Sequence, residues 1–324
     1  MYNDSIQTQT LVQRALSGLE AEGLRGLLDL SLEVLAEAAI EVKERVFGRR
    51  IRLVRLCNIK SGLCPEDCAY CAQSARWATS APQYPLLTPE AILAQAEEAR
   101  QSGAARFCLV SATRSPSPKL LGRIEEVAPT IKAMGLELCT SLGLLTEKMA
   151  RRLKEAGVDY YNHNLNTSQG RYPQIATTHR YEDRLQTLAA ARKAGLELCS
   201  GVILGMGETL EETLEMALAL RRLGAKSVPV NFLLPIPKTP LGKEPGPRLP
   251  PEEALRRLAL FRLALPQVEL RASAGREQYF GPHLPLTLQM VNSIFIRGYL
   301  TQGGAALEED LALLQSLGLE VVPG

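Results

Sequence analysis

Cys64, Cys68 and Cys71 stand in a C-x3-C-x2-C spacing inside the stretch 58–77. Three thiols in so short a loop form a disulfide staple, a zinc site or an iron–sulfur site. A disulfide needs an oxidising compartment, whereas residues 1–20 are polar, with no apolar run and no small-residue cleavage site. A cytoplasmic chain with reduced thiols is therefore expected. Structural zinc takes four ligands, commonly a second Cys pair or a His pair at matching distance; the histidines are His163, His179 and His283, and no such pair occurs. Three local thiolates suit a four-iron cluster held through three of its irons, with the fourth iron open to an outside ligand.

A second group of thiols, Cys108, Cys139 and Cys199, lies in Arg-Phe-Cys-Leu-Val-Ser, Leu-Glu-Leu-Cys-Thr-Ser and Leu-Glu-Leu-Cys-Ser-Gly. Each occupies a similar depth in an expected strand. Side chains alternate along a strand, so same-depth residues of one orientation converge inside a barrel and would make a second metal site. A buried thiolate cluster needs a compensating charge. Arg271 is placed to point the same way, and Arg106 shares a face with Cys108. Glu137 and Glu197 share faces with Cys139 and Cys199, so Arg106 is predicted to pair with at least one of them inside the barrel. The bland alternative is three ordinary buried cysteines.

The elements that must position these residues follow a strict rhythm. Residues 1–50 read as a helical N-terminal extension, with periodic Leu30, Val34, Leu35, Ala38, Val42 and Val46. From Arg52 onward, strands are expected at 52–57, 105–111, 135–141, 157–162, 196–203, 227–233, 267–273 and 292–297. Helices are expected near 89–102, 119–133, 146–156, 181–194, 209–223, 251–264, 283–290 and 305–317. Thr88 followed by Pro89, and Thr146 followed by Glu147, start helices; Gly103, Gly135, Gly157, Gly195 and Gly224 end them. Strict alternation argues for parallel strands with right-handed crossovers, and about eight units argue for closure. The expected fold is thus α/β, a (βα)8 TIM-type barrel over 51–324. Two segments break the rhythm on the C-terminal side of strands: 164–180, and the Pro-rich run 235–251, which reads either as part of the site or as a surface linker.

Composition fits one large soluble unit. The chain has 324 residues, 46% of them hydrophobic, and a net charge of +2, so no nucleic-acid partner is implied. Nothing approaches eighteen uncharged apolar residues in a row, which speaks against a membrane span. Cys57 matches neither thiol group and reads as a small strand residue. His163, between Asn162 and Asn164, reads as a hydrogen-bonded core histidine or as a contact to substrate or cofactor.

Taken together, these motifs resemble the radical S-adenosylmethionine superfamily, and within it the biotin synthase family. Gly62-Leu-Cys-Pro-Glu-Asp-Cys-Ala-Tyr-Cys-Ala-Gln-Ser, Tyr160-Tyr-Asn-His-Asn-Leu-Asn-Thr-Ser and Ser273-Ala-Gly-Arg-Glu carry the resemblance, which covers about 52–319. It implies that Cys64, Cys68 and Cys71 hold a [4Fe-4S] cluster. It also implies that Cys108, Cys139, Cys199 and Arg271 hold a [2Fe-2S] cluster. S-adenosylmethionine would chelate the open iron and yield a 5'-deoxyadenosyl radical, which abstracts hydrogen from dethiobiotin; sulfur from the second cluster then closes the ring of biotin.

The resemblance further implies that Tyr70 and Ile203 flank the adenine, and that Ser111, Ala112 and Thr113 meet the methionyl amine through backbone carbonyls. Asn164 and Asn166 would hold the ribose, with Asn164 and Asn231 reaching the ureido ring and Thr301 the substrate carboxylate. Asn166 replaces an Asp found in some members, and Gln302 a frequent second Thr. A homodimer and a flavodoxin- or ferredoxin-type electron donor are also implied. Hydrogenase-maturation, pyrrolysine-biosynthesis and lipoyl-synthesis proteins are the rivals within the superfamily. An iron–sulfur carrier or redox sensor is the rival outside catalysis.

Overall fold

The computed structural model describes residues 2–243, 248–301 and 303–323. Its strands are β1 (Arg50–Lys60), β2 (Arg106–Ser111), β3 (Glu137–Ser141), β4 (Tyr160–Asn162), β5 (Glu197–Cys199), β6 (Val202–Leu204), β7 (Ser227–Phe232), β8 (Glu269–Ala272), β9 (Ser293–Phe295) and β10 (Glu320–Val322). Neighbours pair in the order β1-β2-β3-β4-β5-β7-β8-β9, and β9 returns to β1, so the sheet closes. Every ladder is parallel.

The helices lie where capping chemistry puts them. Thr88, Ser117, Thr146 and Thr209 each accept a backbone N–H from the first turn of the helix that follows. The glycines expected to end helices, Gly103, Gly135, Gly157, Gly195 and Gly224, all have left-handed φ. The outer faces of the strands pack on these helices through one continuous apolar core, to which Cys57 belongs.

The structure differs from the sequence reading in three places. The expected strand 196–203 is two short strands, β5 and β6, both paired with β7. The break falls at Gly201, where a Cβ would lie 1.9 Å from the Pro229 carbonyl oxygen, so the chain passes β7 too closely to continue a regular ladder. Short helices at Tyr172–Ile175 and Arg276–Phe280 interrupt the loops after β4 and β8. A tenth strand, β10, pairs with the foot of β1, matching Arg50–Arg52 to Glu320–Val322 by register. In the Pro-rich run 235–251, Pro245 and Pro247 lie outside the described residues.

The N-terminal helices Tyr2–Leu16 and Leu32–Phe47 cover the outer face of helix Pro251–Ala264. Arg256 donates to the Leu30 carbonyl at 2.7 Å and Arg221 to the Leu19 carbonyl at 2.7 Å, tying this layer to the barrel. Lys43 is fully buried at the seam and its Nζ has no hydrogen-bond partner among the described residues. Burial lowers its pKa to about 8. Because the unfolded chain holds this proton more tightly, the penalty is in force below about pH 8, shrinks as pH rises toward 10.5 and is then gone. Lys43→Met is expected to raise stability at neutral pH by about 1–3 kcal/mol. Urea unfolding checks this, and a gain that did not narrow above about pH 8 would contradict it.

Candidate active site

The mouth of the barrel, at the C-terminal ends of the strands, opens into a cavity of about 280 Å³. Its wall carries Cys64, Cys68 and Cys71 at the rim, the carboxamides of Asn162, Asn164, Asn166 and Asn231 midway, and Cys108 with Arg271 below. Tyr70, Ser111, Ala112, Thr113, Ile203 and Thr301 line the same cavity. The structure thus gathers most of the sequence-singled residues on one surface. Cys139 and Cys199 lie beside Cys108 in the barrel's own small buried cluster, with Val54 and Phe295. Gln302 lies outside the described residues.

The loop after β1 is held in shape by hydrogen bonds to its backbone. Cys64 N donates to the Gln73 carbonyl at 2.9 Å, Ala75 N to the Cys64 carbonyl at 2.8 Å and Trp77 Nε1 to the Cys68 carbonyl at 3.1 Å. All three thiols are free. Burial pushes each of them up, Cys71 to about 12. Among the described residues no three Cys, His, Asp or Glu side chains close on a single ion. That spacing disfavours zinc but not a cuboidal cluster, in which each thiolate takes its own iron.

Several residues of this site carried no signal in the sequence. Glu66, between the first two cysteines, accepts from Arg114 at 2.8 Å and Thr178 at 2.6 Å and lies 2.6 Å from His179 Nδ1. Burial would raise its pKa, but these hydrogen bonds and His179 hold it below the usual carboxylate range. Arg184 donates to His179 Nε2 at 2.9 Å, so that nitrogen is the acceptor and Nδ1 carries the proton facing Glu66. Arg184 also donates to the Asn164 carbonyl at 2.8 Å and to the Tyr172 hydroxyl. One buried chain of polar groups therefore ties the cysteine loop to the end of β4.

The asparagines are fixed by backbone and side-chain partners. Asn164 Oδ1 accepts from Gly201 N at 3.0 Å and from Asn162 Nδ2 at 3.2 Å. Asn231 Nδ2 donates to the Val202 carbonyl at 2.9 Å. Asn166 has a left-handed φ of 71° and donates from Nδ2 to the Tyr70 hydroxyl at 2.6 Å. Lys60 Nζ donates to the Ala112 carbonyl at 2.6 Å, taking one lone pair of an oxygen expected to meet the methionyl amine. His163 is buried, and its Nε2 has no hydrogen-bond partner among the described residues; burial holds the ring neutral.

Below the asparagines, register sets Cys108 opposite Cys139, and Asn162 opposite Cys199. Asn162 Nδ2 lies 3.2 Å from Cys199 Sγ. A hydrogen bond with Cys139, then the charges of Arg271 and Arg106, draw the Cys199 thiol down against burial. Arg106 bonds Glu137 at 2.9 Å, the expected pairing inside the barrel, while Glu197 faces solvent. A partner the sequence did not suggest is Glu269, 2.9–3.0 Å from the same guanidinium. Arg271 faces the thiols with Nη1 buried and without a hydrogen-bond partner. An unsatisfied cation donor against three thiols fits an iron–sulfur ligand set better than a plain apolar core.

A closed parallel barrel with a three-cysteine loop at its mouth is the architecture of a radical S-adenosylmethionine enzyme. The Radical SAM superfamily description matches residues 58–220, and the Biotin and Thiamin Synthesis associated domain matches 229–320. Such membership brings a four-iron cluster and S-adenosylmethionine. Biotin synthase of Thermus thermophilus is 62% identical over 97% of this chain and 96% of its own length. Biotin synthase of Rhodopirellula baltica is 41% identical over 99% of this chain and 89% of its own length. The chain belongs to the biotin synthase family. Methylornithine synthase shares the fold at a TM-score of 0.82 and 20% identity, covering 96% of this chain and 97% of its own. A hydrogenase maturase from Carboxydothermus hydrogenoformans does so at 0.80 and 20%, covering 99% and 80%.

Proposed function

We propose that the chain converts dethiobiotin to biotin with the residues singled out above in the family's roles. The observation that supports this most is the vertical order of the cavity: three rim thiols, then a belt of uncharged amides, then three buried thiols beside an arginine. The four-iron cluster and S-adenosylmethionine supply, when bound, a carbon-centred radical, and the second, [2Fe-2S] cluster supplies sulfur.

Cys64, Cys68 and Cys71 hold the first cluster; Cys108, Cys139, Cys199 and Arg271 hold the second. Tyr70 and Ile203 bracket the adenine, Asn166 and Asn164 bind the ribose, and the 111–113 backbone receives the methionyl amine. Arg184, a buried cation reaching the cavity beside Cys68, is suited to the methionyl carboxylate. Asn164 and Asn231 complement a cyclic urea, whose donors and acceptor need no charged partner. Thr301 meets the substrate carboxylate. The apolar wall confines the radical beside its substrate and keeps other hydrogen donors away.

Residues 1–50 act as a helical extension on a barrel formed by 51–324. A cytoplasmic homodimer and a flavodoxin- or ferredoxin-type electron donor complete the proposal. The test is anaerobic reconstitution with reductant, S-adenosylmethionine and dethiobiotin. Biotin and 5'-deoxyadenosine are expected together; 5'-deoxyadenosine absent with substrate present would refute the assignment.

A further inference from the structure

Glu269 sits at the centre of the barrel floor, two residues before Arg271 on the same face of β8. Its carboxylate is shared among three guanidiniums. Arg106 meets it at 3.0 and 2.9 Å, Arg52 at 3.1 Å, and Arg271 Nη2 at 2.5 Å; Ser227 Oγ donates to it at 3.0 Å. Burial would push its carboxyl up, yet Arg106, Arg271 and Arg52 hold it far below the usual carboxylate range.

The same contacts leave Arg271 one free direction. Its Nε donates to Ser293 Oγ at 2.9 Å and its Nη2 to Ser227 Oγ at 3.0 Å as well as to Glu269. The guanidinium lies 4.8 Å over the Phe295 ring, which blocks one face of the plane. Nη1 alone is left unsatisfied. Arg262, another fully buried arginine, shows the ordinary outcome: its Nε, Nη1 and Nη2 all reach oxygens, those of Met290, Val268 and Asn292 among them. The difference is the carboxylate at the floor, which holds the Nη2 edge and leaves Nη1 as the one buried donor without a partner.

We propose that Glu269 is a positioning residue for the second cluster, fixing the rotation of the Arg271 guanidinium so that Nη1 is the nitrogen offered to it. The inference rests on the reading of Arg271 as the fourth ligand. Arg106, held on the other side by Glu137 and stacked 3.7 Å over the Tyr160 ring, braces Glu269 in turn. The carboxylate acts through placement and fixed charge, and its removal leaves the guanidinium held by the hydroxyls of Ser227 and Ser293 without the charge that fixes its rotation.

The test uses the full chain with both clusters reconstituted and with 15N-labelled arginine, comparing the parent with Glu269→Ala and the near-isosteric Glu269→Gln. The readouts are nitrogen coupling to the reduced second cluster by pulsed electron paramagnetic resonance, and iron content by Mössbauer spectroscopy. The parent is expected to show arginine coupling. Glu269→Ala should lose that coupling, or the iron of the second cluster, with the four-iron signature unchanged. Glu269→Gln should keep the iron and shift the coupling, and it decides the matter if Glu269→Ala does not fold. Parent-like coupling in both variants would overturn the role of Glu269. No arginine coupling in the parent itself would overturn the ligand reading of Arg271, and this inference with it.

Discussion

Cys64→Ala is expected to abolish 5'-deoxyadenosine formation while leaving the second cluster in place, and Cys108→Ala to do the reverse. The thiol sets belong to different structural units. Cys64 is held by a loop whose backbone bonds run to Gln73 and Ala75, whereas Cys108 is a strand residue whose neighbours are Cys139 and Leu56 by register. Losing one rim thiolate from three leaves a four-iron cluster without enough protein ligands. The expected effect is loss of the cluster and of radical formation to background. Losing Cys108 takes one thiol from the proposed second site and leaves the loop, the asparagines and Arg184 untouched. The cofactor should then still be cleaved with dethiobiotin bound, but no biotin should form. Iron and sulfide counting with Mössbauer spectroscopy on the two variants checks this. If both variants lost the same iron species, the two-site arrangement would be wrong.

Gly201→Ala is the second large effect. The added Cβ would sit 1.9 Å from the Pro229 carbonyl oxygen and 2.9 Å from its ring Cδ, a backbone neighbour that cannot swing aside. The position also organises the site: Gly201 N donates to Asn164 Oδ1 at 3.0 Å, and its carbonyl accepts from Asn166 N at 3.1 Å. Moving it moves two asparagines together. A loss of about 3 kcal/mol or more is expected from overpacking against backbone. A matching loss of S-adenosylmethionine binding should accompany it. Urea unfolding and equilibrium dialysis measure the two, and a variant within about 0.5 kcal/mol of the parent would contradict the argument.

Much of this was legible because it rests on residue type and short-range spacing. The rim cysteines are close in sequence, and the strand cysteines declare their depth through the period-two alternation of their strands. Helix starts at Thr88 and Thr146 were readable because a cap is local chemistry. What stayed hidden depends on partners that meet only when the barrel closes. Arg106 on β2 and Glu269 on β8 are not on paired strands, so their contact across the floor follows from the curvature of the whole sheet. Glu197 was as good a candidate as Glu137 by pattern, yet it faces solvent at the start of a three-residue strand. Arg184 lies in an ordinary polar helix, and nothing near it in sequence announces that it is buried against Tyr172 and His179. The break at Gly201 was invisible for the same reason: the atom that forbids a side chain belongs to Pro229 on another strand.

The ion network beneath the cysteines has one more consequence, which concerns traffic. Arg106 and Arg271 are fully buried there and Glu269 nearly so, each tied to several partners. With its floor braced in this way, the mouth described above is an opening of the cavity among the described residues. A molecule that enters by that mouth passes the rim loop and then the asparagine belt before it meets the lower thiols. The stacking of the residues along that route therefore sets which groups such a molecule meets first.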